Sequence, residues 1–404
     1  MVMRTYDNWT PQALQVAIHL QSFLYLHHQT VNSLTKEYHA MTGRERFLLA
    51  LRREQPDRVP IWELIINAPT ITGIYGDVGY YAFAEKIGLD AITVFDTQRL
   101  EDLGNGLVRD EWGILWQTEP CGLRYPVDGP IKTKADLDSY RAPDPFADHR
   151  LDSLKDAVRH VKGDKAIVIC IHEAFEFSHY LCGMDRLLTA YIEDPEFVHR
   201  LSRIVVDYKK TVLDLAVAEG ADVILSGDDY AYRTQPLMSP AHFAEYSLPY
   251  ITELVEAAHS KGVPFIKHTD GYIWPILDML VDAGIDAINP LEPVAGMDIG
   301  DVKVKYGDRI AVVGNVDCTE VLTRGTKEEI VEAVKETIAK ASIGGGHILS
   351  LSNSIHPGIS PDRYLTMVEA AREFGTYPLD EQMIQEFRTH NYISRYTSLG
   401  RDML

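Results

Sequence analysis

From Arg58 onward, short β-branched runs alternate with amphipathic helical stretches, the pattern of parallel βα units. Eight runs read as strands: Arg58–Glu63, Ala91–Asp96, Ala166–Glu173, Asp222–Asp228, Pro264–Asp270, Ala287–Glu292, Ile310–Asp317 and His347–Asn353. Eight parallel strands are what a closed barrel needs, so the pattern predicts an α/β fold, a single (β/α)8 barrel of the TIM type. Between the second and third strands, Leu100 to Pro145 is rich in Gly, Pro and Trp and reads as a β-hairpin insertion with a loop over the barrel mouth. Ser239-Pro240 and Ser360-Pro361 each set an N-cap serine before a helix-opening proline. Thr326 with Glu329 fits a capping box, and Ile330, Val334 and Ile338 then share one apolar face. Gly262 and Gly375 stand where helix-ending glycines are expected. The expected division is an N-terminal extension over 1–40, with a surface helix across Ala13 to Leu26, a barrel domain over 41–380 and a tail over 381–404.

Nearly every strand is apolar until its end and then finishes on polar or ionisable residues. These are Glu63, Asp96, Glu173, Asp228 with Asp229, His268 with Asp270, Glu292, Asn315 with Asp317, and Asn353. One such residue is ordinarily explained by a bond to a loop backbone. On almost every strand they predict a site, because all the ends converge on one face and that face carries the chemistry of this fold.

Composition narrows the classes of function. Of 404 residues, 39 are Lys or Arg and 59 are Asp or Glu, a formal charge of −20. So acidic a chain gains nothing from counterion release, which argues against nucleic acid and anionic membranes as partners. No apolar run of about 18 residues is present to span a bilayer. The four cysteines, Cys121, Cys170, Cys182 and Cys318, form no CxxC pair and read as reduced thiols. With no signal-peptide pattern at the start, the cytoplasm is the expected compartment.

Two pairs carry the sharpest chemistry. His268 and Asp270 lie two apart on a predicted strand and so point the same way, and both residue types ligate zinc at about 2.0–2.2 Å. The competing reading is a histidine held by its aspartate as a structural pair. Asp228 and Asp229 are adjacent at a strand end, where crowding raises the pKa of one carboxyl and makes it a proton donor. The alternative is that Asp229 caps a helix or pairs with Arg233. By alternation His172 points into the helix layer and Glu173 into the mouth; Tyr230 and His356 are within reach of it.

The segment Met41-Thr-Gly-Arg-Glu-Arg-Phe-Leu-Leu-Ala-Leu, followed by Pro56-Asp-Arg-Val-Pro60, resembles the opening of the uroporphyrinogen decarboxylase superfamily. So do Leu237-Met-Ser-Pro240 through Leu248-Pro-Tyr250, His268 followed by Gly271, Gly314-Asn315-Val-Asp317, and Gly344-Gly-Gly-His-Ile-Leu through Pro361. The resemblance covers roughly Met41 to Gly375. It implies one of two chemistries: cofactor-free decarboxylation of the acetate arms of uroporphyrinogen, or methyl transfer involving a corrinoid protein, usually with zinc. For the decarboxylase it implies Asp96 as the central carboxylate and Tyr180 as the active-site tyrosine. Yet Ile61-Trp-Glu-Leu-Ile-Ile-Asn-Ala-Pro-Thr70 holds Glu63 and none of the arginines that meet the substrate's carboxylates, and Asn353 replaces the family's C-terminal histidine. For the methyltransferases it implies a metal at His268, with Asp270 in place of a cysteine, a donor set suited to an ether or amine leaving group rather than a thiol.

The leading expectation is therefore a corrinoid-dependent methyltransferase acting on a small methylated substrate. Asp96, Asp228, Asp229 and Glu63 are its candidate catalytic residues, and Tyr180, Glu173, Tyr230, Asn315, Asn353 and His356 its candidate substrate-binding residues. His268 and Asp270 would bind zinc or another divalent metal. The expected partners are the substrate and a corrinoid protein, and the sequence allows a homodimer. A uroporphyrinogen or other cofactor-free decarboxylase is the alternative, and a non-catalytic binding barrel stands third.

Overall fold

The computed structural model describes residues 40–120 and 122–395, so the expected helix over Ala13–Leu26 and the end of the tail lie outside the described residues. From Thr42 onward the described residues form one compact unit. Its centre is a curled, wholly parallel sheet of seven strands, in the order β1 (Ala91–Phe95), β6 (Ala166–Cys170), β7 (Val223–Ser226), β8 (Phe265–His268), β9 (Ala287–Asn289), β10 (Ala311–Val316) and β11 (His347–Leu351). The predicted first strand is reduced to a single parallel bridge, Ile61 to Leu349. Pro60 has no N–H to give the ladder, and the Val59 N–H is taken by Gly375 O at 2.8 Å. The short segment still spans the two edges of the sheet: Trp62 N and Pro60 O bond Leu349 of β11, while Ile61 O accepts Asp90 N just ahead of β1. The result is a TIM-like α/β arrangement.

Between β1 and β6 the chain forms a four-stranded antiparallel sheet in sequence order, β2 (Glu101–Gly104), β3 (Leu107–Arg109), β4 (Leu115–Thr118) and β5 (Arg124–Asp128), where the sequence had suggested one hairpin. The helix starts follow their signals. Ser239 accepts the His242 N–H, and Thr326 and Glu329 form a reciprocal capping box. Beyond residue 380 the helix Glu381–Phe387 buries Met383 and Phe387, and Tyr392 is buried in turn. Among the described residues no helix is long and apolar enough to cross a membrane.

Two apolar clusters set the direction of every strand. Inside the curl lie Trp62, Ala91, Ala166, Val168, Cys170, Val223, Leu225, Ile266, Ala287, Ala311, Val313 and Ile348. Outside, Ile92, Ile167, Ile169, Ile224, Phe265, Ile288, Val312 and Leu349 pack against the helices. Alanines at the strand starts leave room at the bottom of the curl, which Phe47, Ala50 and Leu51 of the helix Gly43–Leu51 fill, Phe47 meeting Trp62 edge-on at 5.9 Å. Gly43 permits that approach, since a Cβ there would stand 3.0 Å from Asp90. Buried Asp90 then accepts from Arg46 Nη1 (2.5 Å), from both Arg58 Nη atoms (2.8 and 2.9 Å) and from Ile61 N (2.8 Å). The opening motif is thus a structural lock on the end of the sheet away from the strand ends.

Candidate functional site

Alternation along β8 and β9 turns His268 and Asn289 inward, in register with each other, at the mouth of the curl. Asn289 Oδ1 lies 2.6 Å from His268 Nδ1 and accepts its proton, so Nε2 keeps its lone pair. That nitrogen stands 3.7 Å from Asp229 Oδ1 and 3.7 Å from Asp270 Oδ1. Two donors about 2.1 Å from one tetrahedral ion would be about 3.4 Å apart, so the three atoms are spaced to hold a divalent cation after a small contraction. The groups are also aimed. Asn353 Nδ2 donates to Asp270 Oδ2, which leaves Oδ1 buried without a hydrogen-bond partner, and Asp229 Oδ1 fixes the loop by accepting Asp270 N at 2.9 Å. Burial, then the charges of Asp229 and Glu292, push Asp270 well above the usual carboxylate range, whereas burial pulls His268 down. A cation bound beside Asp270 would hold it in the anionic form that ligation needs. Glu292 sits beside Asp270, accepting Gly271 N at 3.1 Å and raised by burial.

A second group adjoins the first. β6 ends at Cys170, and His172 takes a left-handed φ of 56°, so the alternation that predicted its direction no longer applies. Its ring lies over Gly227, where a Cβ would stand 3.1 Å from Cε1. Nδ1 comes 2.8 Å from Glu176 Oε2 and 3.4 Å from Asp228 Oδ1. Asp228 is also the acceptor for Glu173 N (2.8 Å) and Glu176 N (2.9 Å), so it caps the helix Ala174–Cys182. Burial alone would raise Asp228, but His172 and Lys267 outweigh it and hold the carboxyl below its usual range. It stays an anion, against the expectation that it handles protons. Burial would lower His172, yet Cys170, Asp228 and Glu176 together raise it well above the ordinary imidazole. Burial raises Glu176. Tyr180, one helical turn past Glu176, is raised by burial and then by the Glu176 charge, and its ring meets Trp116 edge-on at 5.0 Å. Glu176 was not foreseen, because it sits in the first turn of a helix and not at a strand end.

Other candidates turn away from the mouth. Glu173 does not face it: with Ser226 and Lys267 on the helix side of the sheet, Glu173 Oε1 accepts from Lys267 Nζ and from Ser226 Oγ. Tyr230 is fully buried with them, its ring 4.5 Å from Lys267 Nζ. In β1, Phe95 continues the inward positions of Ala91 and Thr93 and is 38% exposed, which leaves Asp96 facing outward. There Asp96 accepts from Gln98 (2.7 Å) and Tyr208 (3.2 Å) and lies 3.7 Å from buried Lys209 Nζ. Asn315 donates to Leu291 O (2.8 Å) and Met297 O (3.3 Å), behind the sheet and not over the mouth. His356 sits beside Thr323 and Cys318 O, both at 3.4 Å, and in neither cluster.

Glu63 is likewise absent from both clusters. Fully buried, it accepts from Ser350 Oγ and Leu351 N (both 3.1 Å), and its charge reaches Tyr80 and Tyr364 on the helix side. Burial raises its pKa to about 8. The folded chain thus keeps a proton that the unfolded chain releases near pH 4.5. The associated stability is complete below that pH and is lost as pH rises through about 8. Glu63→Gln removes the titration. In urea unfolding from pH 5 to 9, the variant should gain on the wild type by up to about 1.4 kcal/mol per pH unit, levelling off above pH 8. Parallel pH curves for the two proteins would contradict the burial of a titrating Glu63.

Comparison with known proteins gives a consistent relationship. The family model described as Uroporphyrinogen decarboxylase (URO-D) matches residues 124–374. The uroporphyrinogen decarboxylase of Psychromonas ingrahamii is 24% identical over 355 residues, covering 81% of this chain and 96% of that protein. The one from Methylococcus capsulatus is 28% identical over 362 residues, covering 81% and 97%. Among solved structures, a methyltransferase from Methanosarcina mazei superposes with a TM-score of 0.66 at 20% identity, covering 83% of this chain and 99% of that one, a likeness of fold.

Proposed function

Since this chain belongs to the uroporphyrinogen decarboxylase family, we propose that it is a methyl-transfer enzyme of that family, acting on a small methylated substrate with a corrinoid protein as partner. The observation that carries this reading is the three-donor group of Asp229, His268 and Asp270 at the mouth. His268 Nε2 and one oxygen of each aspartate would hold a divalent cation, zinc in the first instance. Bound there, the cation would polarise the leaving atom of the methyl donor. Asn289 sets the tautomer of His268 and Asn353 turns Asp270 Oδ1 inward. Phe95 offers an exposed apolar ring at the inward-facing end of β1, and Tyr180 offers a hydroxyl.

Decarboxylation is the second reading, favoured by the names of the curated relatives. Against it, a substrate with many carboxylates would approach Asp229, Asp270 and Glu292, and Asp96 is already engaged by Tyr208, Gln98 and Lys209. The full chain, supplied with zinc, should take up about one equivalent and pass methyl groups from methyl ethers or methylamines to free cob(I)alamin. It should leave uroporphyrinogen unchanged. Efficient formation of coproporphyrinogen by metal-free protein would reverse the ranking.

A further inference from the structure

The helix Ala174–Cys182 carries Glu176 and Tyr180 one turn apart, and the His172 ring, from the residues just before that helix, packs against Glu176. His172 Nδ1 is 2.8 Å from Glu176 Oε2, a close ion contact that is not aligned as a hydrogen bond, and Oε2 has no other partner although it is buried. Asp228, fixed by two backbone N–H groups, approaches the same Nδ1 at 3.4 Å. The His172 side chain remains 24% exposed, enough to exchange protons with water. Tyr180 is half-buried, with its hydroxyl beside the Glu176 carboxylate and its ring among Trp116, Phe177 and His179. Asp228, which contacts His172, is the chain neighbour of Asp229, so this group adjoins the metal-binding group. A histidine in a left-handed backbone conformation, held there by contacts from two strands and a helix, is the kind of local strain that collects at working sites.

We infer that His172, Glu176 and Tyr180 form a proton-delivery chain to the leaving oxygen of a methyl ether, an assignment of substrate class that rests on the methyl-transfer reading. As the methyl–oxygen bond breaks, its electron pair stays on oxygen and the methyl group passes to the corrinoid acceptor. The oxygen takes the Tyr180 proton, Glu176 returns one to Tyr180, and His172 passes one from solvent to Glu176. A thiol acceptor would instead need a proton removed, and no cysteine belongs to either group of donors. An ether of a phenol suits the rings around Tyr180.

The test compares two ethers, anisole and 4-nitroanisole, whose nitrophenolate leaves without needing a proton. Glu176→Gln, His172→Gln and the milder Tyr180→Phe should each lower kcat/KM for anisole by about 10²-fold or more and for 4-nitroanisole by less than about 10-fold. Equal losses for both ethers, or none, would overturn the chain. Binding of 4-nitrophenol gives a readout independent of turnover: its absorption should be that of the neutral phenol on the wild type and of the phenolate on Glu176→Gln. Phenolate on both proteins, or no binding at all, would also overturn it. If no ether donates its methyl group while the nitrophenol signature holds, the methyl-transfer reading and the ether as substrate both fail, and only proton donation through Glu176 to a bound phenol stands. If methyl transfer continues undiminished in Glu176→Gln and His172→Gln, the chain fails and methyl transfer stands.

Discussion

Replacing His268 by alanine is expected to abolish metal uptake and to lower methyl transfer by at least about 10³-fold, the largest catalytic effect of any single substitution in this chain. His268 Nε2 is the one nitrogen of the three-donor group, and its partners are carboxylates that repel each other without it. Asn289→Ala should weaken metal affinity by about 10–100-fold, since it removes only the acceptor that orients Nδ1–H. Cys318→Ala should leave both properties intact. The Cys318 thiol bonds Ser352 at 3.5 Å, is pushed up to about 11 by burial, and belongs to neither donor group. Metal analysis of the three variants beside a methyl-transfer assay checks the series, and a full equivalent of metal retained by His268→Ala would remove the assignment.

Lys267→Met should have the largest effect on stability, a loss of about 3–5 kcal/mol in urea unfolding at pH 7. Lys267 and Glu173 are both fully buried, and Nζ also donates to Ser226 Oγ (3.2 Å) and Asp228 O (2.9 Å). Removing the lysine strands a carboxylate among apolar side chains. Burial already raises Glu173 to about 6 with Lys267 opposing, so without the lysine the carboxyl takes up its proton at a higher pH still, and the penalty should shrink as pH falls toward about 6 and level off below it. Adding Glu173→Gln should restore much of the loss, because the unpaired charge goes with it. A single substitution costing under about 1 kcal/mol would mean the pair is not isolated from water.

How much of this was legible depended on whether a residue still lay within the ladder. His268 and Asn289 are the last residues of their strands, and the period of two placed His268 inward correctly. Asp229, Asp270 and Asn353 lie two or three residues beyond their strands, where loop geometry decides direction, and they still reach the mouth. His172 and Glu173 exchange sides because a left-handed residue breaks the alternation between them. Glu63 and Asp96 were misplaced for a simpler reason. Treating every polar strand end as facing the mouth ignored the inward neighbours Trp62 and Phe95, whose alternation sends the next residue outward. Asn315 follows Gly314, whose φ of 142° reorients the chain against Pro290, and no periodicity signals that. Glu176 carried no strand-end signal at all.

The bridge from Ile61 to Leu349, with the Val59 bond to Gly375, has a consequence for synthesis. A ribosome adding about 5–20 residues per second takes roughly 15–60 s to travel from the first of these partners to the last. Through that interval the nascent sheet has an unclosed edge, and Trp62 waits for the neighbour that will cover it. The domain should therefore lean on chaperones during translation more than its finished form suggests, and chains ending short of residue 375 should be cleared as unfinished rather than accumulate as a smaller fold.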